Sequence, residues 1–145
     1  MQKENNLIKG KKMNQEIKIE EYAFLVSEIS KEGLIRFASD DFCKISGYAL
    51  DELFGQPLKM IYHNDMPEEI LKELWDTIEK GETWVGYLKN LTKGGDFFWT
   101  YTNIYPFESS DGSTGYLSCR KKASDEEIKN YTREYEEMKN KSHQQ

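Results

Sequence analysis

Trp84-Val85-Gly86-Tyr87-Leu88-Lys89-Asn90-Leu91, followed after Thr92-Lys93-Gly94-Gly95-Asp96 by Phe97-Phe98-Trp99-Thr100-Tyr101-Thr102-Asn103-Ile104-Tyr105-Pro106-Phe107, is the stretch that decides the fold. Both flanks are rich in aromatic and β-branched residues, and Gly94-Gly95 offers the backbone freedom of a tight turn, so an antiparallel hairpin is predicted. A third strand-like run, Tyr116 to Arg120, lies beyond a second turn signal, Asp111-Gly112-Ser113. Side chains alternate between the two faces of a strand. If Asn90 faces inward, so do Leu88, Gly86 and Trp84. On the next strand the inward set is either Phe98, Thr100, Thr102 and Ile104 or Phe97, Trp99, Tyr101 and Asn103. On the last strand Ser118 and Arg120 share a face.

Upstream, Ile70, Leu71, Leu74, Trp75 and Ile78 recur at helical spacing, and Gly81 ends the helix. Asp65 with Glu68 reads as a capping box around Pro67 in the first turn. Earlier still, Tyr22–Ile29 and Leu34–Ala38 are strand-like and flank Lys31-Glu32-Gly33. Ser39 or Asp40 then offers a cap to a short helix carrying Phe42 and Ile45, and Leu50–Gly55 reads as another. Downstream of Ser124 the chain is helical and charged, with Ile128, Tyr131, Tyr135 and Met138 forming a seam of under two heptads, too short to stand alone. Two strands, short helices, one longer helix, three strands and an exit helix imply an α+β fold. The expectation is a five-stranded antiparallel sheet with helices on one face. The division is a polar lead-in over 1–21, the domain over 22–123 and a helical tail over 124–145.

The whole chain has 145 residues and a 37% hydrophobic fraction, enough for one domain. A net charge of −6 argues against nucleic acid as a partner, since phosphate recognition needs clustered cations. No run approaches the roughly 18 apolar residues of a membrane span, and Met1–Asn6 lacks the apolar core of a signal peptide. Cys43 and Cys119 fit no metal or redox spacing and suit a reducing cytoplasm. Aromatic residues make up 13%, a heavy load for a small acidic domain. Phe24, Phe37, Phe42, Phe54 and Phe98 are assigned to the core. Trp99, Tyr131 and Tyr135 are assigned to packing outside it.

Several segments together carry a resemblance. They are Phe42–Tyr48, Glu52–Pro57, Tyr62-His63-Asn64-Asp65-Met66-Pro67, Leu74-Trp75, Gly81–Trp84, Lys89-Asn90, Lys93–Gly95, Phe98-Trp99, Gly115–Ser118 and Ala123–Glu127. The chain resembles, over roughly residues 22–127, the flavin-binding PAS domains of Aer-type aerotaxis receptors and their split relatives, in which the PAS protein is separate from its membrane transducer. The family pattern at the histidine reads Arg-His-Pro-Asp-Met-Pro. Here Tyr62 and Asn64 replace the arginine, which supports FAD retention in the family, and the first proline.

The resemblance implies FAD between sheet and helices. It implies Asn90 at the ring edge, where a carboxamide donates and accepts at once; the plain alternative is pairing with nearby backbone. It favours Phe98, Thr100, Thr102 and Ile104 as the inward set, with Thr100 either a ligand contact or core filler. Trp99 then lies outside, where a dimer partner or the N-terminal segment packs. Ser118 and Arg120 are candidates on the last strand, Arg120 either facing an anionic reduced flavin or lying on the rim. His63 has three readings: a flavin or diphosphate contact, a satisfied structural histidine, or a haem ligand. For Asp65 the helix cap outranks a ligand role. Trp75 is core by default and a stacking ring by resemblance, and Trp84 and Tyr62 complete the set.

The expected function is therefore a cytoplasmic redox and oxygen sensor for energy taxis, with no catalytic residues and no metal. It would act on a chemoreceptor-type transducer, and a homodimer would form through the N-terminal segment or the outer sheet face. The alternatives are a cofactor-free docking module and a haem sensor through His63.

Overall fold

The computed structural model describes residues 14–143, so the start of the lead-in, residues 1–13, lies outside the described residues. Five strands form one antiparallel sheet: β1 (Leu25–Ser30), β2 (Ile35–Ala38), β3 (Trp84–Leu91), β4 (Phe97–Glu108) and β5 (Thr114–Lys122). Their order across the sheet is β2-β1-β5-β4-β3, so the two terminal hairpins meet through β1 and β5. Between them run α1 (Asp40–Ser46), α2 (Leu50–Leu53), a 3₁₀ turn (Leu58–Ile61) and α3 (Glu68–Glu79); α4 (Asp125–His143) follows β5. Among the described residues no helix is long and apolar enough to cross a membrane.

Alternation sorts the sheet into two faces, as expected for a half-buried surface. The inner face carries Leu25, Ser27 and Ile29 of β1, Trp84, Leu88 and Asn90 of β3, Phe98, Thr100, Thr102 and Ile104 of β4, and Tyr116, Ser118 and Arg120 of β5, all buried. Against it pack Phe42 of α1, edge-on to Phe98 with centroids 6.4 Å apart, and Leu74 and Ile78 of α3. Two glycines admit close approaches. The Trp84 ring lies over Gly86, where a methyl group would sit 2.4 Å from it. A methyl on Gly115 would lie 2.2 Å from the Ile29 carbonyl oxygen and 2.5 Å from Arg36 Nη2.

The exit helix does not project into solvent. It folds back over the outer face of β3 and β4, which is how so short a seam becomes stable. Tyr131 stacks on Tyr87 at 4.1 Å, Tyr135 packs beside Trp99 at 5.7 Å, and the Tyr135 hydroxyl donates to the Tyr87 carbonyl at 2.7 Å. Ser124 and Glu127 form a reciprocal capping box at its start. The same Glu127 carboxylate accepts from the Tyr87 hydroxyl. Trp99, expected to meet a dimer partner or the N-terminal segment, thus packs on Tyr135 of the chain's own helix.

Other expectations need correction. Asp65 caps nothing: α3 begins at Glu68 behind an extended Pro67 with no side-chain cap, because the Asp65 carboxylate accepts from the buried Lys89 ammonium at 2.6 Å. Ser39 precedes α1 but spends its hydroxyl on β1, donating to the Phe24 carbonyl and accepting from the Val26 amide. Phe24, Phe37 and Phe54 are largely exposed, at 66%, 44% and 63%, rather than core. In β1 the odd positions face inward, which turns Phe24 out. An irregularity of register between Glu28 and Ile29 leaves Ile35 and Ala38, not Phe37, on the buried side.

His63 is the pin that joins three segments. Its amide donates to the Lys89 carbonyl, its Nδ1 accepts from the Asp65 amide at 3.0 Å, and its Nε2 lies 3.0 Å from Asn14 Oδ1. Since Nδ1 accepts, Nε2 carries the proton and donates to Asn14. The ring rests edge-on to Phe97, 5.8 Å away. The lead-in is docked here as well, since the Ile17 amide donates to the Phe97 carbonyl, the Phe97 amide donates to the Gln15 carbonyl, and Ile19 is buried.

Two outcomes follow from these contacts. Gly115→Ala should lower stability by about 1–3 kcal/mol, because the β1–β5 pair must spread to admit the methyl. Urea unfolding measures this, and an unchanged midpoint would contradict the close approach. His63 is held below the ordinary value of 6.5 by burial and then by the Lys89 and Lys139 charges, against the pull of Asp65. Between the lowered folded value and 6.5 the unfolded chain binds more protons, so stability rises with pH there. The contribution is complete above about pH 6.5 and is lost as pH falls through the folded value. His63→Gln should therefore lose less stability than the wild type between about pH 7 and pH 5. Parallel pH profiles for the two proteins would show that His63 is not held neutral.

Candidate functional site

A row of polar side chains crosses the inner face where a hydrophobic layer would ordinarily lie. Asn90, Thr100, Thr102, Ser118 and Ser27 have no exposed surface, and Arg120 is 3% exposed. Strand register makes the row continuous. Asn90 pairs with Phe98 in β3–β4, Thr102 with Arg120 in β4–β5, and Ser27 with Ser118 in β1–β5.

Its hydrogen bonds are incomplete in a directed way. The Asn90 amide nitrogen serves the carbonyls of Leu88 and Phe98 and the Thr100 hydroxyl at 3.0–3.1 Å, which fixes the orientation of the carboxamide. Thr100 and Thr102 hydroxyls then bond at 2.8 Å. Among the described residues, Asn90 Oδ1, Ser118 Oγ, the Tyr62 hydroxyl, and Nε and Nη2 of Arg120 have no hydrogen-bond partner. Each orphaned buried group costs about 1–3 kcal/mol, and more when charged. Four such residues share one surface, where fewer polar atoms are paired than burial ordinarily requires.

Arg120 is the strongest member. One nitrogen donates to Ser27 Oγ at 3.0 Å, and the guanidinium carbon stands 5.0 Å from the centre of the Phe42 ring. Among the described residues no carboxylate pairs with it. Burial lowers its pKa to about 10, so it remains charged at neutral pH. Tyr62, bridged antiparallel to Asn90, is its neighbour. Burial raises the Tyr62 phenol to about 12, and the Arg120 charge and the adjacent Trp75 indole pull it back part of the way.

The sequence candidates therefore divide. Asn90, Thr100, Ser118, Arg120 and Tyr62 come together on the inner face. Trp75 is half-buried, with its indole beside the Tyr62 hydroxyl and its ring edge-on to Tyr116 at 6.0 Å and against Gly33. Trp84 donates its indole N–H to Glu73 at 3.1 Å and packs under α3, away from the row. His63 and Asp65 belong to the opposite side of the sheet, with Phe97 and Lys89. Burial raises the Asp65 carboxyl, but the hydrogen bond and charge of Lys89 outweigh that and hold it below the usual range. With both ring nitrogens engaged, His63 has none free for a haem iron. Sequence reasoning put Thr102 on the inward face without making it a site candidate and passed over Ser27; a hydroxyl between the inward apolar residues Leu25 and Ile29 is the signal that finds Ser27.

Among the described residues no group of three or more His, Cys, Asp or Glu could hold a metal ion. The sequence profile described as the PAS fold matches residues 35–119. Over 104 residues the chain is 42% identical to the aerotaxis receptor of Escherichia coli, covering 72% of this chain and 21% of that one. Over 94 residues it is 27% identical to the nitrogen fixation regulatory protein of Klebsiella pneumoniae, covering 65% of this chain and 19% of that one. The chain thus spans about a fifth of the length of these relatives. A solved PAS domain from Colwellia psychrerythraea has a TM-score of 0.60 at 21% identity, covering 69% of this chain and 86% of that one. A light-oxygen-voltage domain studied with a flavin analogue has a TM-score of 0.60 at 22% identity, covering 97% and 94%. At such identities the structural likeness is one of fold. Strand order, the helical block over the inner face and the sequence match all agree, and the chain belongs to the PAS-fold family.

Proposed function

We propose that this chain is a redox- and oxygen-sensing module that binds FAD between the sheet and the helical block and relays its state to a chemoreceptor-type transducer. The observation that carries this reading is the unpaired, buried Arg120 guanidinium, set in one row with the orphaned Asn90, Ser118 and Tyr62 atoms. The pyrimidine edge of a flavin alternates carbonyl oxygens with an N–H. Asn90, its amide nitrogen already spent, offers Oδ1 to that N–H, while Arg120, Ser118 and Tyr62 offer donors to the oxygens. Thr100 and Thr102 hold Asn90 in place. Bound flavin supplies the electron chemistry; Arg120 supplies a fixed positive charge that favours an electron-rich ring. The similarity to a protein named as an aerotaxis receptor supports the same reading.

A cytoplasmic location and a separate signalling partner go with this role. Self-association through the N-terminal segment or the outer sheet face belongs to it as well. Among the described residues α4 covers that face at β3 and β4, which leaves β5, β1 and β2 for it. A second reading, a cofactor-free docking module, is favoured by one observation: the Phe42 ring lies against the Arg120 guanidinium, so it must move to admit a ligand.

Reconstitution separates the two. Protein incubated with FAD and freed of excess should retain flavin absorption, and Arg120→Met should weaken binding at least tenfold, about 1.4 kcal/mol. The midpoint potential of the bound flavin should also move negative in Arg120→Met, because the reduced ring loses its counter-charge. Asn90→Leu should weaken binding in the same direction. A protein that never retains flavin, or an Arg120→Met variant with unchanged affinity and potential, would favour the docking module.

A further inference from the structure

Outside the inner row lies a groove of about 620 Å³. One wall is the 3₁₀ turn and the loop after it, with Met60, Tyr62 and Met66; the other is the last turn of α4, with Lys139 and Ser142. Tyr62 and Met66 are both buried members of the core, at 7% and 3% exposure. Tyr62 is thus shared: its ring forms part of the groove, and its hydroxyl is one of the orphaned groups beside Arg120. The groove lies directly outside the inner row, with one side chain between them.

The helix wall is held in place by a specific contact. α4 crosses the outer face of the sheet, and at its end Lys139 donates to the backbone carbonyl of Asn64 in the loop. An ammonium has three donors, so this bond leaves two. Lys59 contributes a second cation to the groove lining. Glu68 and Glu69, in the first turn of α3, contribute acceptors. Cations with an adjacent pair of carboxylates suit a ligand segment that carries phosphate next to sugar hydroxyls.

We infer that the last turn of α4 is part of the ligand site. The phosphate-bearing half of a dinucleotide flavin lies in this groove against Lys139, so that ligand occupancy and docking of the C-terminal helix are thermodynamically linked. The inference rests on the flavin reading of the inner row. It adds that the helix leaving the domain senses the ligand by direct contact. Linkage is reciprocal: a ligand that binds better when α4 is docked must hold α4 down by the same factor.

Two flavins separate the halves of the ligand, since riboflavin lacks the phosphate-bearing portion that FAD carries. The wild-type protein should bind FAD at least tenfold more tightly than riboflavin. Lys139→Met should reduce FAD affinity several-fold while leaving riboflavin affinity unchanged. Amide hydrogen exchange over residues 132–143 should slow when FAD is added and not when riboflavin is added. If both flavins bind but Lys139→Met leaves their affinity ratio unchanged and FAD does not protect α4, the inference fails while the inner-row reading stands. If neither flavin binds, both fail together.

Discussion

A guanidinium 3% exposed, charged at neutral pH and without a carboxylate, is the constraint around which the domain is organised. Removing such a charge from water costs several kcal/mol even after relaxation. What Arg120 receives in return is one serine hydroxyl and the face of one aromatic ring. The rest of the inner row follows from its presence. Ser27 and Ser118 sit where β-branched apolar residues would pack better, and Thr102 stands opposite Arg120 in register. Helices α1 and α3 must then seal the face tightly enough to exclude water while leaving polar atoms unmatched.

That sealing depends on the outer face being finished independently. The tyrosine and tryptophan rings of β3 and β4 are covered by α4, so their inward neighbours Leu88, Asn90, Phe98 and Thr100 are held on a rigid, two-sided sheet. Lys89, buried between Asp65 and the Phe97 ring, ties the edge of β3 to the loop that carries Tyr62. His63 pins the same loop to the lead-in. Site and support are therefore on opposite faces of two strands, and a change on either is felt on the other through backbone positions one residue apart.

Much of this was legible in the sequence. Alternation alone made Trp84, Gly86, Leu88 and Asn90 one face, and placed Ser118 with Arg120; Gly94-Gly95 and Asp111-Gly112-Ser113 marked the turns that fix the two hairpins. Local patterns failed where distant charges and register decided the outcome. Asp65 looks like a helix cap because its neighbours in sequence make it one, yet a lysine 24 positions later in the chain claims its carboxylate. Phe37 looks like core because it lies in an apolar run, and an irregular register turns it outward. The exit helix shows an apolar seam, but nothing in that seam says which surface it covers. The histidine, conspicuous in the sequence, is spent on holding the loop, while the unpaired polar atoms gather on the inner face.

If the inner row is kept for a ligand, the ligand-free protein must be less stable than it need be. Replacing Asn90 by Leu, Ser118 by Ala and Arg120 by Met removes every orphaned group of the row but the Tyr62 hydroxyl, at little cost in volume. Denaturant unfolding of the ligand-free triple variant against the wild type is the direct measurement. The account predicts a variant more stable by about 1–4 kcal/mol that no longer retains FAD. A less stable variant that still binds FAD as the wild type does would contradict it, because the row would then be serving the fold and not a ligand.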